Sequence, residues 1–250
     1  MYIHEISIEV KSIINVNEII DEFGLLMSFY RGNGQTQGNI ESQYIENNKI
    51  YCLPYTLEKK SLDIIYNNVY INNQIEKIQN LCNSSLKFKI AGKSYKNYST
   101  PCTCKKRDFY ILYTDYLTIE SPLRCGNCYK SIPLYHIPIY EDYGYIPILS
   151  WETNYKSCDN LQMNCEVGER WSINQMQKID SQLSKQGLGI SKKIEKITSI
   201  PTYYYLYNYN KTSSDCPSCN KKWSLEKKSN NFYDYKCNHC KIVSTISINK

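Results

Sequence analysis

The sequence predicts an α+β protein, and three observations carry that prediction. Residues 1–95 mix short alternating apolar runs with two helical patterns, residues 96–200 finish in two helices, and residues 201–250 place paired cysteines among short strands. The expected organisation is three segments with those boundaries: an N-terminal α/β domain, a central cysteine-containing region, and a strand leading into a C-terminal metal-stapled module.

In the first segment, Tyr2 to Val10 alternates as a strand, with Glu5 and Glu9 on its polar side. Asn17 precedes a short helical pattern through Ile19, Ile20 and Phe23. Leu26 to Arg31 and Gln43 to Pro54 are expected as strands, with Asn47-Asn48 as a hairpin turn. Between Ser61 and Cys82, the residues Ile71, Ile75, Ile78 and Cys82 share one helical face, and Leu86 to Ile90 returns as a strand. The resulting β-α-β-β-α-β order is ferredoxin-like.

The last segment is read from cysteine spacing. Twelve cysteines accompany an N-terminus that is neither a signal nor a transit peptide, because Met1 to Val10 alternates with acids. A cytoplasmic location is therefore expected, where thiols stay reduced and favour metal over disulfides. Cys216-Pro-Ser-Cys219 and Cys237-Asn-His-Cys240 are separated by 17 residues, the spacing of a zinc ribbon in which two tight turns aim four sulfurs at one ion. Trp223 and Leu225, then Phe232 to Lys236, then Ile242, Val243, Ile246 and Ile248 supply three strands, with Lys228 to Asn231 as a turn. His239 is expected to be exposed or to sit behind the ligands, since the spacing already provides four sulfurs.

A second set, Cys102-Thr-Cys104 and Cys125-Gly-Asn-Cys128, is less regular. C-x-C needs a local bend to chelate one ion, whereas Gly126 suits the left-handed backbone of a metal-binding turn. Phe109 to Thr114 and Ile132 to His136 are expected strands around it, so a second zinc site is predicted, with buried thiols as the competing reading. Cys52, Cys82, Cys158 and Cys165 lack ligand-like spacing and are expected in the core.

The stretch Pro133 to Pro147 is expected to be irregular or an edge strand. One helix is predicted from Gly168 through Gln177, and a second after a capping Asp180, with Leu183, Ile190, Ile194 and Ile197 turned to a core. Pro201 ends it, and Thr202 to Asn210 is expected as a strand.

No apolar run approaches the roughly 18–20 residues of a membrane-spanning helix. The net charge of +6 collects toward the cysteine-rich end, but four thiolates on one zinc carry −2, so charge alone argues weakly for nucleic acid. Arg31 to Gly38 is glycine-rich but lacks the Gly-Lys-Ser/Thr ending of a phosphate loop, which leaves a turn between strands. Glu169 at the start of Gly168-Glu-Arg-Trp171 suits a helix N-terminus. His4, His136 and His239 are scattered, so no catalytic residue is expected and no zinc position is open.

Tyr203, Tyr205, Tyr207 and Tyr209 share one strand face beside a helix bearing Lys185, Lys192, Lys193 and Lys196. Aromatic faces on a basic surface suit single-stranded nucleic acid, and packing against the helices is the plainer alternative.

Taken together, Cys125-Gly-Asn-Cys128, Leu161-Gln-Met-Asn164, Gly168-Glu-Arg-Trp171, Pro201-Thr-Tyr-Tyr-Tyr205 and the last cysteine quartet resemble a bacterial domain-of-unknown-function family described as zinc-ribbon-containing and as a candidate for nucleic-acid binding. The resemblance implies ligand roles for Cys216, Cys219, Cys237 and Cys240, and no catalytic residue. The expected function is a non-enzymatic binding protein for RNA or single-stranded DNA. The alternative is a protein-interaction module, such as an adaptor or a toxin-neutralising immunity protein.

Overall fold

The computed structural model describes residues 1–12, 16–94, 100–209, 214–229 and 232–245. Two compact units emerge. One comprises Met1–Pro101, Ile119–Ser121 and Pro133–Ile146, and the other Cys102–Thr118, Pro122–Ile132 and Pro147–Lys250.

The first unit is built from β1 (Tyr2–Glu9), α1 (Val16–Gly32), β2 (Gln37–Glu46), β3 (Lys49–Thr56), α2 (Val69–Cys82) and β4 (Lys87–Lys93). Its sheet runs β2-β3-β1-β4 with antiparallel neighbours throughout, which is the ferredoxin-like order. Leu26 to Arg31 is helix and not strand. Ile19, Phe23, Leu26, Met27 and Tyr30 recur every three or four residues, and all are buried, so α1 is one continuous amphipathic helix. It packs with Ile6, Ile8, Ile50, Ile71 and Ile78 in a single core. Asn47 and Asn48 both take positive φ, +48° and +58°, as a two-residue hairpin turn requires.

The glycine-rich stretch after α1 joins a helix to a strand, and its polar side chains point inward. Asn33 donates to Gln35 Oε1 and to the Tyr66 carbonyl, and Gln35 donates to the Ser61 carbonyl. Gly34 has φ +70°, and a Cβ there would lie 2.7 Å from Leu134 Cβ, so the loop is a packed corner.

The second unit carries β5 (Tyr110–Leu112), β6 (Leu123–Cys125), α3 (Ile146–Asn164), α4 (Glu169–Gln177), α5 (Gln182–Thr198), β7 (Thr202–Tyr205), β8 (Ser224–Ser229), β9 (Tyr233–Cys237) and β10 (Ile242–Ser244). They form one six-stranded sheet, β6-β5-β7-β10-β9-β8. β7 pairs in parallel with both β5 and β10, so strands before and after α5 belong to the same ladder. The expected strand Thr202 to Asn210 stops at Tyr205. Ile132 to His136 is not a strand: Ser131 bridges to Arg124, and Leu134–His136 form a single 3₁₀ turn, because Pro133 cannot donate to a ladder.

α3 is the helix that the sequence pattern conceals. Ile148, Trp151, Glu152, Tyr155, Cys158, Asp159 and Gln162 are its buried residues. Their spacing is helical, but three of the seven are polar and break the apolar stripe. α5 is capped by Ser181, whose hydroxyl accepts from the Ser184 amide, and not by Asp180. Gly187 lets α5 approach β7, since a Cβ there would lie 2.3 Å from the Tyr204 ring and 2.8 Å from Trp151 Nε1. Cys52, Cys82 and Cys158 are buried as expected of core thiols, whereas Cys165 is exposed just past α3. The turn expected at Lys228 to Asn231 reaches into 230–231, and Ile246 and Ile248 fall within 246–250, all outside the described residues.

Candidate metal centres

Both cysteine sets close into quartets. Cys216, Cys219, Cys237 and Cys240 form one group, Cys102, Cys104, Cys125 and Cys128 the other, and within each the sulfurs all lie within 4.8 Å of one another. Four sulfurs at tetrahedral zinc bond lengths stand about 3.8 Å apart, and Cys219 Sγ lies 3.7 Å from Cys237 Sγ. That separation suits a shared ion and is far too long for a disulfide.

The backbone builds the same turn twice. In the C-terminal quartet, the Cys216 amide donates to the Lys221 carbonyl, and the Asn220 amide donates back to the Cys216 carbonyl. In the central quartet, the Cys125 amide donates to the Lys130 carbonyl, and the Tyr129 amide donates to the Cys125 carbonyl. The residue after the second cysteine is left-handed in all three C-x-x-C turns: Tyr129 at φ +61°, Asn220 at +55° and Lys241 at +55°. This fold-back turns both thiols of a pair inward and leaves amides facing sulfur, as where Cys240 N donates to Cys237 Sγ at 3.4 Å.

The C-x-C pair obtains the bend it needs in a related way. The Cys104 amide donates to Cys102 Sγ at 3.4 Å, and the Cys102 amide donates to the Ser131 carbonyl beside the facing turn. Gly126 serves a purpose other than the one expected. It is not among the positive-φ residues, but a Cβ on it would lie 2.3 Å from the Phe109 ring, so its lack of a side chain admits Phe109 against the turn. Asn127 clamps the same turn, accepting from the Asp108 amide and donating to Asp108 Oδ2.

Protonation follows burial and neighbours. Burial pushes the Cys125 and Cys216 thiols up to about 12. Burial also raises Cys102, but the Arg107 guanidinium and the Cys104 amide more than compensate and bring it down to about 7. The Lys221 amide holds Cys219 down to about 7. Each quartet thus pairs one readily ionised thiol with one that ionises only when a cation replaces its proton. Four sulfurs per site match the number of ligands that a tetrahedral ion takes.

The tyrosine stripe does not form an open face. Tyr203 is 5% exposed and Tyr205 8%, and both pack with Ile111, Tyr233 and Val243 against Phe109, Tyr113 and Tyr129. Tyr207 and Tyr209 lie beyond the end of β7 and are half-buried. On α5, Lys192 and Lys196 are exposed and Lys193 is half-buried. His239 is exposed and lies outside the quartet of ligands. His4 is buried between Thr56 and the Lys59 carbonyl, and His136 sits beside Glu58. Arg107, Phe109 and Asn127, which shape the central site, carry no spacing signal by which the sequence reveals them.

Three family models match the chain, each described as a domain of unknown function: DUF8589 over residues 1–92, DUF2310 over 104–207 and DUF8594 over 208–250. Two uncharacterized proteins of Haemophilus influenzae are similar. One is 31% identical over 198 residues, covering 77% of this chain and 76% of its own length. The other is 37% identical over 145 residues, covering 56% of this chain and 71% of its own. Among solved structures, an antibiotic biosynthesis monooxygenase aligns with 37% of the chain at 7% identity and a TM-score of 0.30, and the structural-genomics protein YJCS with 35% at 18% identity and a TM-score of 0.26. At these scores, neither structural likeness bears on function. The relatives do decide the kinship: the chain belongs to the same bacterial family as these two uncharacterized proteins and carries the domain of unknown function DUF2310 at its centre.

Proposed function

We propose that both quartets hold zinc as closed structural sites, and that the six-stranded sheet they brace serves a cytoplasmic, non-enzymatic protein that binds RNA or single-stranded DNA. The repeated fold-back turn, with all four sulfurs converging, is the observation that carries the zinc reading. On this reading the C-terminal quartet is a zinc ribbon, its strands being β8, β9 and β10. For nucleic acid, the support comes from α5, whose Lys185, Lys192 and Lys196 are exposed, and the buried Tyr203 and Tyr205 leave that helix as the contact surface. Elemental analysis of anaerobically prepared protein should give two zinc per chain, and fewer than two would sink the paired-site reading. Zinc-loaded protein should bind short single strands with an affinity that falls as salt rises; no binding at low salt would remove the nucleic-acid assignment.

A protein partner is the second reading, favoured by the exposed apolar residues Ile64, Ile65 and Val69 of the first unit. Affinity purification returning one stoichiometric, nuclease-insensitive protein would support it.

A further inference from the structure

α3, α4 and α5 enclose a cleft of about 280 Å³, lined among others by Trp171, Leu161, Leu183, Asn154, Gln182 and Gln186. We infer that this cleft is a nucleobase pocket, the place where a single strand bound along α5 would insert an unstacked base.

The inference rests on the nucleic-acid reading and gives that surface its base-recognition element. Among the described residues no charged side chain lines the cleft, so it is unsuited to phosphate and suited to a neutral, flat, hydrogen-bonding group. Trp171 is 58% exposed despite its size, and an indole left open to solvent at the rim of a cleft offers a face on which a base can stack. Asn154, Gln182 and Gln186 make no side-chain hydrogen bond among the described residues. A free carboxamide presents a donor and an acceptor side by side, the pattern that pairs with the edge of a base. Gln182 and Gln186 are one helical turn apart, so both face the cleft from the same side of α5.

The charge distribution selects this occupant over other groups that stack on tryptophan. Lys185, exposed between the two glutamines in sequence, and Lys192 and Lys196 further along α5, lie on the outer surface of the same helix. A neutral aromatic cleft with Lys185 next to its glutamines and further lysines along the same helix matches a base on a phosphodiester chain, whereas a neutral sugar has no use for the lysines. Gly168-Glu-Arg-Trp171 gains a role here, because the helix that begins at Glu169 presents Trp171 to the cleft within its first turn.

The test uses the full zinc-loaded chain and short labelled homopolymers of each base, titrated by fluorescence anisotropy at two salt concentrations. Wild type should rank the bases. Trp171→Ala should weaken the preferred strand on the order of tenfold, Trp171→Phe should recover most of that loss, and Gln182→Leu with Gln186→Leu should flatten the ranking while leaving the salt slope unchanged. Trp171 is exposed, so its replacement should leave the thermal transition where it is. Unaltered affinity and ranking in Trp171→Ala, with weaker binding in Lys192→Ala plus Lys196→Ala, would overturn the pocket and leave the proposed function intact. Failure of wild type to bind any strand would overturn both.

Discussion

The Tyr203 hydroxyl donates to Asn238 Oδ1 at 2.8 Å, and through that bond the two cysteine quartets touch one continuous stack. Asn238 lies inside the turn that carries Cys237 and Cys240. Tyr203 meets Phe109 edge-on with ring centroids 5.2 Å apart, and Phe109 fills the space that Gly126 leaves between Cys125 and Cys128. Lys236 caps both rings, with Nζ 3.8 Å from the Phe109 centroid and 4.6 Å from that of Tyr203.

Because the rings and Asn238 order one another, metal loading at one quartet should favour loading at the other. Tyr203→Phe deletes only the hydroxyl. It should keep the fold, lower stability by about 1 kcal/mol, and reduce the cooperativity of zinc uptake in a chelator-competition titration. An unchanged uptake curve would show that the stack does not transmit loading.

Gly126→Ala should be far more damaging than an ordinary glycine replacement. The added methyl meets three ring carbons of Phe109 at 2.3–2.5 Å, and relieving such overpacking typically costs about 1–3 kcal/mol. The expected result is loss of the central zinc with retention of the C-terminal one, read as a fall from two metal equivalents to one.

Zinc affinity should rise with pH. In the metal-free protein Cys125 and Cys216 keep their protons, being pushed up to about 12, so an incoming ion must displace them. Acidification therefore favours release, and apparent affinity should increase from about pH 6 to pH 8. A pH-independent affinity would mean that the metal displaces no thiol proton and would refute thiolate ligation.

Chelation should act unequally on the two units. Trp223 stacks on Tyr235 at 4.9 Å within the C-terminal strands, so its near-ultraviolet circular dichroism should disappear with the metal. The first unit has its own core of isoleucines around α1 and α2 and should keep its helical signal. A Trp223 signal that survives verified zinc loss would refute the dependence.

Legibility in the sequence followed the kind of information each element required. The C-terminal quartet was readable because C-x-x-C spacing dictates a turn, and the Asn47-Asn48 hairpin because few residues accept two successive positive φ values. The second half of α1 reads as a strand in the sequence because Leu25, Leu26, Met27, Phe29 and Tyr30 form an apolar run whose period of three to four is visible only when joined to Ile19 and Phe23. α3 escapes the apolar pattern because Glu152 and Asp159 occupy interior positions. Glu152 is held there by Lys156 at 2.7 Å, a partner that no periodicity count detects. The reason for Gly126 was tertiary, lying in a ring 17 positions earlier in the chain. The tyrosine period of two holds only for Tyr203 and Tyr205, because β7 ends at Tyr205 before Tyr207 and Tyr209, and what covers their face is supplied by Phe109, Tyr113 and Tyr129 from elsewhere in the sequence.

The two parallel pairings of β7 make the last forty-odd residues something other than a detachable tail. All four residues of β7 are buried, and among the described residues one flank of this strand pairs with β10 alone. Cutting the chain ahead of Cys216 would therefore uncover a row of unpaired amides and carbonyls flanked by tyrosine rings, a template on which truncated copies would stick to one another.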